Sequence, residues 1–85
     1  MSTSVSDALA KSVWFDQDTM WVNLADGRTL GVPLAYFPRL LNATPSQRAD
    51  CTISGGGTGL HWDALDEDIS VAGLLMGIGD RTRKP

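Results

Sequence analysis

Few side chains in this 85-residue chain could carry chemistry, and their spacing limits which chemistry. Cys51 is the only cysteine and His61 the only histidine. On adjacent strands the two would supply a nucleophile and its base. No oxyanion motif or substrate pocket is recognisable around them, so Cys51 reads as a small core residue and His61 as a partly exposed strand residue. A small hydrolase using Cys51 and His61 has only this pair to rest on. A single histidine excludes a multi-histidine zinc site within one chain, and the distances to neighbouring carboxylates match no metal-binding pattern.

Asp63, Asp66, Glu67 and Asp68 form the densest charge cluster. Two of them could act as acid and base, or several could hold Mg²⁺ or Ca²⁺. The segment has neither the alternate-position acids nor the central glycine of a calcium loop. A position just before a helix start accounts for it, since acids there stabilise a helix by about 0.3–1 kcal/mol each. The run Gly55-Gly56-Gly57-Thr58-Gly59 invites comparison with a phosphate loop, but no Lys-Ser/Thr pair follows and no helix opens after it. It reads as a flexible hairpin loop. The chemistry that is left is recognition. Trp14, Trp21 and Trp62 are many tryptophans for a chain of this length, and tryptophan is enriched at interface hot spots. At least one should be structural.

The elements that position these residues can be read from period and punctuation. Residues 1–12 lack periodicity and read as a loose arm. Val13-Trp14-Phe15 opens a strand, and Met20, Val22 and Leu24 alternate with Trp21 and Asn23 in a second. Arg28 to Val32 returns as a third. A two-residue Asp26-Gly27 loop would mix the faces. A three-residue loop pairs Val22 with Leu30 and Met20 with Val32, and lays Trp21 over Gly31. Leu34, Phe37, Leu40 and Leu41 predict a short helix with Pro38 near its start. Thr44-Pro45-Ser46-Gln47 predicts a capping box and a turn lasting to about Ala49. Cys51-Thr52-Ile53 and Leu60-His61-Trp62 flank the glycines as a second hairpin. A last helix starts at the cap Ser70 and stops at Gly77 or Gly79. The fold class is α+β: a small antiparallel sheet in β-β-β-α-β-β-α order, with two short helices packed on one face.

One domain over residues 13–79 accounts for the length, followed by a basic tail at 80–85. No apolar run approaches the ~20 residues that span a bilayer, and no secretory signal is recognisable at the start, so a cytoplasmic location is expected. The lone cysteine fits a reducing compartment. Residues 13–80 carry nine acidic and three basic side chains, which disfavours nucleic-acid binding by this chain alone. The same imbalance favours a basic protein partner. Exposed strand edges on a thin core leave a homodimer open.

Two segments resemble a known family. Val22-Asn23-Leu24-Ala25-Asp26-Gly27-Arg28, continued by Val32-Pro33-Leu34, Pro38-Arg39-Leu40 and Ala43-Thr44, resembles the first half of the bacterial domain of unknown function DUF 2442. Leu60 to Val71, then Leu74-Leu75, resembles its second half, with Asp63 where that family often has proline. The match covers roughly residues 13–78. It implies an α+β fold and brings no catalytic residues or cofactor. Some relatives carry a helix-turn-helix domain, and gene settings point to toxin–antitoxin pairs or mobile elements.

The expectation is a non-enzymatic protein-binding or regulatory module, antitoxin-like or the partner of a transcription regulator, without metal or cofactor. Its docking surface would comprise Trp21, His61, Trp62, Asp63, Asp66, Glu67 and Asp68. The alternative is an inhibitor from a phage or mobile element, with these carboxylates mimicking nucleic-acid phosphates.

Overall fold

The computed structural model describes residues 8–77. Its first strand, β1 (Ala10–Phe15), pairs antiparallel with β2 (Thr19–Leu24), which pairs with β3 (Thr29–Pro33). The three-residue loop is the one formed: Met20 faces Val32, Trp21 faces Gly31 and Val22 faces Leu30. Gly27 takes φ +96°, the left-handed region that this turn demands. Met20, Val22, Leu24 and Val32 are buried on the inner face, with Leu30 partly buried against the same core. Trp21 lies across Gly31 so closely that a Cβ there would stand 2.7 Å from the ring.

The strand begins at Ala10, three residues before its expected start. Residues 8–12, read as part of a loose arm, belong to the fold: Ala8 and Ala10 are buried. Small apolar residues leave little periodic signal, and their seat is remote in sequence. The glycine run supplies it. Gly57 is buried at φ +112°, and a Cβ on it would come within 2.8 Å of Leu9 Cβ and 3.0 Å of the Ala10 backbone. The run links β4 (Thr52–Ser54) to β5 (Gly59–Trp62) as expected for a hairpin, but it serves as packing surface instead of a flexible loop.

Between the hairpins, Leu34–Tyr36 forms a 3-10 turn and α1 spans only Pro38–Leu41. Leu34, Phe37 and Leu40 are buried, whereas Leu41 faces solvent. The helix α2 (Pro45–Ala49) has both halves of the capping box: the Gln47 amide donates to Thr44 Oγ1, and the Thr44 amide donates to Gln47 Oε1. Arg48 reaches back to close α1, donating to the carbonyls of Leu40 at 2.7 Å and Leu41 at 2.8 Å.

The main departure from expectation is a sixth strand. Glu67–Ser70, expected to lead into a helix, is β6, antiparallel to β5. Ser70 still caps α3 (Val71–Leu75), accepting from the Gly73 amide, but none of the acids stands in its first turn. The described residues therefore form two three-stranded sheets, β1-β2-β3 and β4-β5-β6, instead of one. Pro33 ends β3, and the helical turns after it separate the two strand sets. The inner faces of both sheets, with Leu40, Val71 and Leu74 from the helices, form one apolar cluster. The basic tail at 80–85 lies outside the described residues.

Candidate functional site

The seven residues expected to form one surface are divided among three environments by strand alternation. On β5 and β6 successive side chains point to opposite faces. Trp62 and Glu67 face each other on the inner side; His61 and Asp68 do so on the outer side.

Trp62 is 1% exposed and cannot anchor a partner. Its indole N–H donates to the Arg48 carbonyl at 2.9 Å, and its ring meets Phe15 edge-on at 6.5 Å. Glu67 is also buried, and Arg39 Nη1 donates to its Oε1 at 3.2 Å. The same Nη1 donates to the Asp66 carbonyl at 2.7 Å. Asp66 holds φ +51°, a left-handed position that aspartate tolerates, and closes the turn from Asp63 to β6. The expected surface thus loses Trp62 and Glu67 to the core.

Outside, the histidine bridges two carboxylates. His61 Nδ1 lies 2.6 Å from Asp68 Oδ1, and His61 Nε2 lies 2.7 Å from Asp63 Oδ1. Both partners are acceptors, so an imidazolium with two N–H groups satisfies the geometry in full. The Asp63 bond, then the Asp68 bond, raises the histidine pKa above its ordinary value. Because the two ring nitrogens point in opposite directions, the three side chains do not converge on a point where an ion could sit.

Cys51 does not complete a nucleophile pair with this histidine. It packs partly buried against the core, and burial pushes its thiol up to about 11. Its sulfur is beside the His61 backbone, while both ring nitrogens are engaged by carboxylates. A thiolate at neutral pH needs the opposite environment.

Trp21 stands apart from these residues, on the outer face of the first sheet. Its ring stacks on Trp14 at 5.4 Å with 18° between planes, and its indole N–H donates to Asp16 Oδ2 at 3.0 Å. That bond holds the Asp16 carboxyl below its usual range. Trp14 is 48% exposed. Beside the aromatic pair, Asn23 bridges Ser12 Oγ and Thr29 Oγ1 across all three strands. Trp14 was absent from the expected surface; the antiparallel register of β1 on β2 sets it opposite Trp21.

A two-sheet α+β domain with an aromatic outer face and a carboxylate-clamped histidine is the class that this geometry defines. The chain belongs to the family described as protein of unknown function (DUF2442), whose model matches residues 10–80, starting where β1 starts. It is similar to the crystal structure of a protein of unknown function from Rhodospirillum rubrum ATCC 11170, at 33% identity and a TM-score of 0.76 over 88% of this chain and 94% of that one. It is also similar to the solution structure of an uncharacterised protein from Chromobacterium violaceum, at 30% identity and a TM-score of 0.73 over 85% and 68% of the two chains. No curated protein matches it. Among the described residues, no helix is long and apolar enough to cross a membrane.

Proposed function

We propose that this domain is a non-enzymatic, regulatory protein-binding module that docks a basic partner through the outer face of its first sheet. The observation that carries the reading is the solvent-facing Trp14–Trp21 stack. Burying an aromatic in a core repays its size. Leaving one 48% exposed forgoes that gain unless a partner covers it. Asp16 bonds the Trp21 indole, Asp18 lies in the same turn, and the described residues carry eight acidic and four basic side chains. Three of the basic ones are engaged internally: Arg28 with Asp26, Arg39 with Glu67, and Arg48 with carbonyls. The field that a partner meets is therefore acidic. Within this reading the domain is the antitoxin-like or regulator-associated member of a gene pair, acting in the cytoplasm. The nucleic-acid-mimic alternative is less well supported, because Glu67 is turned inward and His61 bonds both Asp63 and Asp68.

Affinity capture from the native host tests the proposal with three baits: wild type, Trp14→Ser and the double variant Asp63→Lys/Asp66→Lys. The expected result is a basic protein held by wild type, lost from Trp14→Ser and retained by the double variant. A partner kept by Trp14→Ser, or none captured by wild type, overturns it.

A further inference from the structure

We infer that the free edge of β3 is a docking site for an extended, alternately apolar peptide with a basic residue, which joins the first sheet as a fourth strand. The inference rests on the protein-binding reading and names the form its partner takes. Among the described residues β3 pairs with β2 alone, so its other side is an open sheet edge there. The hairpin register fixes what that edge offers. The Leu24 amide bonds the Arg28 carbonyl, so by the two-residue period Leu30 and Val32 direct their backbone groups toward β2. Thr29 and Gly31 direct theirs outward, an N–H and a C=O each, and Pro33 adds a C=O.

Side-chain sites lie on both faces of this edge. On the inner side a shallow groove of about 170 Å³ runs between Leu30, Val32 and Pro33 of the strand and Tyr36 and Leu74 beyond it. Tyr36 is 49% exposed at its rim. Alternate apolar side chains of an added strand would fall into this groove. On the outer side the edge residue is Gly31, so nothing stands between an incoming side chain and the Trp21 ring lying over it.

Charge sets the class of peptide. The Leu34 amide, just past β3, bonds the Asp18 carbonyl, which places the Asp16–Asp18 turn at the Pro33 end of the edge. A lysine or arginine next to the apolar residues complements that end. A second copy of this chain fits less well. Antiparallel β3–β3 pairing centred on Gly31 sets each Pro33, without an N–H, opposite a Thr29, and it brings two acidic bodies together.

The test is a ¹⁵N NMR titration with acetyl-Lys-Val-Thr-Val-Thr-Val-amide, beside a copy N-methylated at alternate residues to block one hydrogen-bonding edge, then the copy methylated on the other residues. Shifts concentrated at Thr29, Gly31 and Tyr36, slowed exchange of the Gly31 amide, and a loss of about tenfold in affinity for one methylated copy only are expected, since one or two backbone bonds are removed. A Glu-for-Lys peptide should bind more weakly at low salt. No shifts at millimolar peptide, shifts elsewhere, equal binding by both methylated copies, or a dimer whose β3 amides broaden without peptide would each overturn the inference. If capture by the intact domain still depends on Trp14, only the edge site falls and the protein-binding reading stands.

Discussion

His61 shows how much one side chain can report. Its pKa is raised by Asp63 and then Asp68, so the imidazolium is favoured in the folded protein. A raised folded pKa means that the stabilisation is fully present below the unfolded value near 6.5 and is lost as pH rises through the folded value. NMR titration should give an apparent pKa above 6.5 for wild type, lowered in Asp63→Asn and in Asp68→Asn; an unshifted wild-type value would show that the clamp does not form in solution. Trp62→Phe tests the buried end of the same strand. It removes ring volume from the core and leaves the Arg48 carbonyl without its indole donor, at a cost of about 2–3 kcal/mol by urea unfolding. The residue types at both positions were legible in the sequence, but their directions were not. His61 and Trp62 were assigned to a strand, yet both were also placed on one surface, which a period of two forbids. The Asp68 contact was out of sight because the strand carrying Asp68 was read as the approach to a helix.

Among the elements, the hairpin of β2 and β3 was fully readable. One register puts Met20, Val22, Leu24, Leu30 and Val32 on a single face, and turn chemistry at Gly27 agrees with it. The capping box at Thr44 and Gln47 was equally plain, since both halves are local. Elements whose partners lie far along the chain were harder to read. β6 has acids at two of its four positions, and its pairing with β5 is sealed by Arg39 from a distant helix. The glycine run looked flexible because nothing nearby explains Gly57. Gly57→Ala should cost about 2–4 kcal/mol, combining a left-handed backbone with a Cβ driven against Leu9 and Ala10. Gly56→Ala, also at positive φ but with open space around it, should cost distinctly less in the same thermal or urea melts.

For the molecule as a whole, the two sheets share one core and the chain has little surplus to lose. A loose arm ending at residue 12 would tolerate removal. The buried Ala8 and Ala10 say otherwise: a chain beginning at Val13 should lose about 2–4 kcal/mol and melt broadly by circular dichroism. The α+β class and family membership were available from pattern and resemblance, while the division into two sheets followed from β6 and could not precede it. Among the described residues every ladder joins strands that are consecutive along the chain, so pairing closes only short loops and is entropically cheap. Seating Ala10 against Gly57 closes a much longer loop, and that contact is expected to set the kinetic barrier. Stopped-flow refolding should find Gly57→Ala slowing folding, while changes at the tip of the β2–β3 turn chiefly alter unfolding. A partner strand that docks on β3 would then be met by a sheet formed before the rest of the molecule has closed.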